Sequence, residues 1–393
     1  MVNEKMSTKK LYDMDAYQTE FAANIVEVIK EDGKTVLVLD QTLFFPEEGG
    51  QNCDKGHLIY EGNQYNVSYV KLVKKDGEEF IYHYIDSQDE FVAGKDVKGA
   101  IDWNDRYDKM QNHTAEHILS GIVNSTYGYN NVGFHLNDEL FTMDFNGTFT
   151  EEQIQELEKV ANRVVFENVS VVAKYYTNEE AKNQEYRSKI EIEGDIRVVT
   201  IDGYDKCACC APHVDTTGQV GAIKIIKAEK WKGGTRFSVL AGARAYADYA
   251  KKHAVTQSLA RKFSTSEDKL VGVIDNMFEE FNQIKLLLSQ CQSELLTNKL
   301  LEEKCVFCDD VSPQAIKKAV DGCMNQQPDD IFAVFAGNDG AYRYLIGSRN
   351  KDVKEATAAF LEKLSGKGGG NADMVQGMIK SERKDIEEEI KKI

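Results

Sequence analysis

Proline is nearly absent from this 393-residue chain, with four occurrences. A Pro-rich spacer or polyproline ligand segment is therefore excluded. Long apolar runs are missing too: none approaches the roughly 20 residues that cross a bilayer, so no membrane partner is expected. The opening stretch, MVNEKMSTKKLYDMDAYQTEF, has no apolar signal core, which points away from export. Cysteine is too sparse, at eight residues, for a disulfide scaffold. Its clustering in CACC at 207–210 reads as reduced thiols of a cytoplasmic protein. Positive charge is in deficit, with 48 Lys and Arg against 65 Asp and Glu and a formal net charge of −17. That balance argues against broad, unspecific nucleic-acid binding, which runs on phosphate neutralisation. It leaves room for a local basic patch. KIIKAEKWKGGTR offers one, through Lys224, Lys227, Lys230, Lys232 and Arg236, and its plain alternative is a solvated strand face.

What is present is an ordinary globular composition, 42% hydrophobic and 29% charged, in a chain too long for one core. The reading is an α+β multidomain protein in four parts. Residues 1–105 hold short strands (KTVLVLD, GHLIY, YNVSYVKLV, EEFIYHYI, VKGAIDW) and predict a small N-terminal β-barrel. Within it, TLFFPEEGGQ marks a tight loop at Pro46, Gly49 and Gly50. From 106 the period becomes helical through Met110, Ala115, Ile118 and Ile122, ending near Gly128. Strands around VGFHL and LFTMDFN, a helix opened by Thr150 and four further strands make 106–245 an α+β domain with a mostly antiparallel sheet. Residues 246–300 read as one or two coiled-coil-like helices. Leu270, Val273, Met277, Phe281, Ile284, Leu288, Cys291 and Leu295 form a heptad seam, a spacer or a place for homodimer pairing. Residues 301–393 read as a C-terminal α/β unit with a glycine-rich loop, GKGGGNADMVQG, before the last helix.

Chemistry concentrates in two four-residue spacings. HTAEH places His113 and His117 on one helical face. CCAPH places Cys209 and His213 about a turn stiffened by Pro212. Three imidazoles and a thiolate suit zinc better than magnesium or calcium, one ion per chain. Four protein ligands would close the site, so a reactive zinc here needs one displaceable ligand, and His213 is the candidate. Cys207 and Cys210 are spare thiols; spacing to His213 favours Cys209. Glu116, between the histidines, is a candidate proton carrier or a surface acid. His135 in GFHL is a further candidate for the same pocket. Cys305 and Cys308 spell CxxC with no partner pair, and His57, His83 and His253 read as lone residues.

HTAEH with CCAPH resembles the signature of the AlaX-type alanyl-tRNA editing proteins and of the editing half of alanyl-tRNA synthetases. FFPEEGGQ resembles that family's aromatic-Pro-Gly-Gly-Gln loop in its N-terminal barrel. IRVVTID followed by CCAPHVDTTGQVGAIKI resembles the editing core, and GKGGGNADMVQG resembles the glycine-rich stretch of the DHH-associated C-terminal domain. The four motifs stand in the family's order. Ala211-Pro212 replaces the common Gly-Thr, and Asn371-Ala372 replaces the usual Arg-Pro, which removes a positive charge from a presumed RNA-facing segment.

The resemblance implies a trans-acting, zinc-dependent deacylase. It would hydrolyse the ester joining serine, with glycine as a further candidate, to alanine tRNA. Glu116 and His135 become its catalytic candidates. Gly49, Gly50, Gln51 and Thr114 would line the aminoacyl pocket. Lys224, Lys227, Arg236, Lys367, Gly368 and Gly369 would meet the tRNA. No synthetase core is recognisable, so neither amino-acid activation nor charging is expected. Two other classes remain. A non-catalytic, zinc-stabilised tRNA-binding module would bind without hydrolysing. A DHH-type phosphoesterase needs an Asp-His-His motif, which the sequence lacks. A threonyl-type editing domain also carries HxxxH, but the GGQ loop and the glycine-rich tail speak against it.

Overall fold

In the computed structural model, which describes residues 7–31, 33–188, 195–309 and 311–393, the chain divides into two compact units, Met1–Val255 and Thr256–Ile393. The missing signal core was read partly on residues 1–6, which lie outside the described residues.

Alternating burial in the first hundred residues becomes a ring of six strands. Glu20–Glu31, Lys34–Leu39, Glu78–Ile85, Asn63–Lys75, Gly56–Tyr60 and Asp96–Ile101 pair in that order, and the last pairs back to the first. Every pairing is antiparallel, and Phe21, Ile25, Leu37, Leu39, Leu58 and Ile81 fill the inside. Sequence reasoning passed over Glu20–Glu31, whose first half, EFAAN, carries small and polar residues and whose β-branched residues cluster only in IVEVI.

The helix Trp103–Tyr127 follows at once. Asp102 caps it, its carboxylate accepting from Asn104 N at 3.0 Å and Asp105 N at 3.2 Å, which moves the start ahead of the expected 106. Gly128 ends it in the left-handed conformation, φ 69°. Two antiparallel sheets flank the helix rather than one. Ile223–Trp231, Gly234–Ala241, Phe141–Phe145 and Asn131–Leu136 form a four-stranded sheet; Val171–Tyr176, Ile196–Ile201 and Asp205–Ala208 form a three-stranded one. The helix Glu151–Glu167 begins in a Thr150–Gln153 capping box. Its Leu157, Ala161 and Val164 share a core with Ile118, Phe141, Met143, Phe237 and Val239.

A wholly buried ion pair ties ring to helix. Arg106 Nε donates to both Asp54 oxygens at 3.1 Å, and its Nη1 donates to Ala16 O at 3.1 Å. Removing one partner of such a pair leaves an uncompensated buried charge, at a cost of about 3–5 kcal/mol.

In the second unit the helical region is two helices, Gly242–Lys262, which begins in the first unit, and Leu270–Glu303. Of the seam residues, Leu270 is buried and Val273 half-buried, while Met277, Phe281, Ile284, Leu288, Cys291 and Leu295 are exposed. Farther along, Leu296 and Leu300 enter a core with Val320, Phe332 and Val334. The sheet of this unit has five strands, ordered Cys305–Cys308, Phe332–Ala336, Tyr342–Gly347, Met374–Ile379, Lys367–Gly370. The expected glycine-rich loop is thus corrected to an edge strand, with Gly368 paired to Gly377 and Gly370 to Val375. Glycine is required there: a Cβ on Gly368 would sit 2.1 Å from Gln376 O and 2.6 Å from the Tyr344 hydroxyl. Among the described residues no helix is long and apolar enough to cross a membrane.

Candidate metal centre

His113 and His117 lie one turn apart on the buried face of Trp103–Tyr127, with their rings 5.6 Å apart. Opposite them, the 209–213 loop is fastened by Arg197 on the strand Ile196–Ile201. Its Nη1 donates to Cys209 O at 2.9 Å and Ala211 O at 2.8 Å, while Cys209 N donates back to Arg197 O at 3.0 Å. The loop therefore sets Cys209 and His213 against the helix. Cys209 Sγ stands 3.6 Å from His113 Nε2 and 3.4 Å from His213 Nε2. The ligand atoms of His113, His117, Cys209 and His213 all lie within 4.8 Å of one another.

Each imidazole is held from behind through Nδ1. The Gln51 amide oxygen accepts from His113 Nδ1–H at 2.7 Å. Asp205 accepts from His117 Nδ1–H at 2.9 Å, and Arg187 in turn donates to both Asp205 oxygens at 2.8 Å. Thr114 spends its single hydroxyl proton on Met110 O at 2.7 Å, so it must accept from His213 Nδ1–H at 3.0 Å. All three rings thus turn an Nε2 lone pair toward Cys209. Histidines fixed in one tautomer by such partners are what a metal site requires.

Electrostatics follow the geometry. Burial pushes His213 down to about 3, so its imidazole is neutral. Burial also opposes charge on Cys209, yet the neighbouring His113 and His213 hold its thiol well below the ordinary range. For His117 burial is again unfavourable, but the bond to Asp205 and the Cys209 sulfur raise it. An ion binds the thiolate and neutral imidazoles, so any proton held at the cluster leaves when it binds. One sulfur and three nitrogens in a buried tetrad fit zinc.

The GGQ loop reaches this centre by being stitched to the strand Asn131–Leu136. Leu136 N donates to Gly50 O at 2.7 Å and Asn52 N to Leu136 O at 3.2 Å. Gly50 has φ 83°, and a Cβ there would lie 2.4 Å from Phe134 O. Gln51 is buried, and its Nε2 is left without a hydrogen-bond partner. Phe134 packs against the His113 ring at 4.7 Å.

Other sequence candidates are distributed differently. Thr114 sits behind His213. Glu116 is buried and accepts from Ser120 Oγ at 2.7 Å and from Asn131 Nδ2. His135 is exposed, on a strand position paired with Thr142, outside the four-donor cluster. The cations proposed for RNA are engaged with acids: Lys224 with Glu158 at 2.7 Å, Lys227 with Glu229 at 2.7 Å, Arg236 with Asp144 at 2.6 Å. Lys367, Gly368 and Gly369 are exposed on the edge strand of the second unit. Sequence reasoning missed Asp205, Arg187, Arg197 and Gly121. Gly121 lies one turn beyond His117; a Cβ there would meet Tyr204 O at 2.4 Å, so its absence lets the 204–205 turn approach and Asp205 reach His117. Only the fold joins these residues, and no spacing announces them.

Three family models match this chain. One described as tRNA synthetases class II (A) covers residues 4–105, one described as threonyl and alanyl tRNA synthetase second additional domain covers 196–237, and the DHHA1 domain covers 299–393. The alanyl-tRNA editing protein AlaX-L of Pyrococcus horikoshii is 26% identical over 96% of this chain and 96% of its own. Over nearly its whole length the chain is thus similar to an alanyl-tRNA editing protein. The alanine–tRNA ligase of Methanobrevibacter smithii is 29% identical over 94% of this chain, and that of Ignicoccus hospitalis 28% identical over 97%. The chain spans only 44% and 42% of the length of those two ligases.

Proposed function

We propose that this protein is a trans-editing deacylase. It hydrolyses the ester of seryl-tRNA of the alanine type and releases the amino acid from a wrongly charged tRNA. The observation that carries this reading is the convergence of three Nδ1-locked imidazoles on the Cys209 sulfur, in a chain similar to AlaX-L.

His113, His117, Cys209 and His213 would hold one zinc ion. When bound, zinc supplies Lewis acidity toward an ester carbonyl, a hydroxyl or an amino group. The protein's own part is positioning. Gln51 has its amide oxygen committed to His113 and its Nε2 unpaired, so it can donate to the aminoacyl group while holding a ligand in place. Phe134 and the backbone of Gly49 and Gly50 form the apolar and backbone walls beside it. Glu116, 3.9 Å from His117 Nε2 and bonded to Ser120, is the carboxylate we assign to carrying a proton. A site that pairs a substrate hydroxyl rejects alanine, because its own buried polar groups would be left unpaired. The tRNA body would meet Lys367, Gly368 and Gly369, where an edge strand of glycines exposes backbone N–H groups. A second copy of the chain is the proposed cover for the exposed seam of Leu270–Glu303.

Deacylation of purified Ser-tRNA(Ala) and Ala-tRNA(Ala), side by side, tests the reading. Faster loss of serine is expected. Equal rates would overturn the editing reading; no hydrolysis with tRNA still bound would instead identify a zinc-stabilised tRNA-binding module.

A further inference from the structure

The tip of the hairpin Ile223–Ala241 carries a side-chain arrangement that the deacylase chemistry does not use. Trp231 pairs with Gly234 across Lys232 and Gly233, whose φ values of 44° and 85° make a tight two-residue turn. A Cβ on Gly234 would lie 1.9 Å from Phe145 O, so the tip is held hard against the neighbouring strand. Trp231 is 37% exposed. The Arg236 guanidinium lies 3.8 Å from its ring centroid and is itself fixed by two bonds to Asp144, at 2.6 and 2.7 Å. Lys232 Nζ stands 5.6 Å from the same ring.

The charges here differ from those along the strand behind. Lys224, Lys227 and Arg236 are neutralised by Glu158, Glu229 and Asp144. Lys230 and Lys232 are exposed, and among the described residues no acid pairs with either. In a chain of net charge −17, a rigid indole backed by a guanidinium, with the Lys232 ammonium beside it and the Lys230 ammonium on the other face of the same strand tip, is a selective polyanion contact. A lone aromatic is too small for an apolar protein interface. It matches one unpaired base, with phosphates on either side for the lysines.

We propose that Trp231 stacks on an unpaired base of the bound tRNA, with Lys230 and Lys232 on the adjoining phosphates. This rests on the tRNA-editing reading and names a contact within it. The tip is compatible in distance. It stands three strands across and about three residues along from Phe134, which touches His113, or on the order of 20 Å by strand geometry. That is shorter than one turn of duplex, about 34 Å.

The chain's two tryptophans allow a direct test. Trp103 lies in the helix with His113, against Tyr17 and Tyr107. In Trp103→Phe, emission therefore comes from Trp231 alone. Titration with uncharged alanine tRNA should quench it saturably, at the concentration where a gel shift reports binding. In the otherwise unaltered protein, Trp231→Ala should weaken tRNA binding about tenfold and Trp231→Phe much less, both with kcat for seryl-tRNA retained. Lys230→Ala with Lys232→Ala should lower the salt slope of binding by roughly one to two. Unquenched Trp231 emission while the gel shift shows binding overturns the stacking contact and leaves the editing reading standing. Absence of any tRNA binding overturns both.

Discussion

The helix Trp103–Tyr127 buries Arg106, Lys109, Asn112, His113, Thr114, Glu116, His117 and Ser120, whereas the helix Leu270–Glu303 leaves Met277, Phe278, Phe281, Ile284, Leu286, Leu287 and Leu288 in solvent. The contrast lies in what each side chain meets. Along the first helix each buried polar group has a partner fixed by another element. Arg106 has Asp54, Asn112 has Ala241 N and Asp108, His113 has Gln51, and His117 has Asp205. Polar groups without partners could not remain there, because each would cost about 1–3 kcal/mol. Along the second helix the apolar side chains of the middle turns stay exposed. Buried polar side chains and exposed apolar ones are the informative departures from hydropathy: here the first mark the candidate metal centre, and the second the face proposed for a second copy.

The largest expected effect breaks the first helix's pattern at its centre. His113→Ala with His117→Ala should reduce zinc from about one per chain to near zero by elemental analysis. A stoichiometric ion in that variant would place the site elsewhere.

A smaller effect asks whether the same rule of partnered burial holds inside the strand ring. His83 Nδ1 donates to Leu37 O at 3.1 Å and its Nε2 accepts from Thr42 Oγ1 at 2.9 Å, so the buried ring is neutral. Burial lowers it to about 4, below the ordinary 6.5. The unfolded chain then binds a proton that the folded one refuses. This stabilisation is complete above pH 6.5 and is lost as pH falls from 6.5 through 4, about 3 kcal/mol in all. Urea unfolding across that range should fall less steeply in His83→Gln. Parallel curves would show that the ring is protonated as easily folded as unfolded.

Asp205→Asn should weaken zinc binding about 10- to 100-fold, since it loosens His117 without removing a ligand. An unaltered dissociation constant would make the Asp205–His117 bond incidental. Least disturbing to the site, Phe281→Glu with Leu288→Glu should convert a dimer to a monomer in sedimentation while zinc affinity holds. A wild-type chain that sediments as a monomer would remove the second copy as the cover of that face.

The asymmetry also explains what the sequence made legible. HTAEH and CCAPH announced four donors, because ligands on one helix and one turn have fixed spacings. Gln51 was visible as part of a turn, though its bond to His113 was not. Thr114 was assigned to substrate, and only its donation to Met110 O reveals that it accepts from His213. Asp205, Arg187 and Arg197 were invisible, since a supporting partner needs only to arrive in space. The glycine run 368–370 looked like a loop because a side-chain-free strand shows no alternation. Of the acids beside Lys224, Lys227 and Arg236, Glu229 was visible in the same stretch, while Glu158 and Asp144 arrive only in space.

X-ray absorption at the zinc edge of the purified, zinc-loaded protein tests the central claim most directly. The account predicts one sulfur at about 2.3 Å and three imidazole nitrogens at about 2.0–2.1 Å. With Cys209→Ser the sulfur should vanish, and with Cys207→Ser or Cys210→Ser it should stay. Two sulfurs, or one that survives the loss of Cys209, would contradict it.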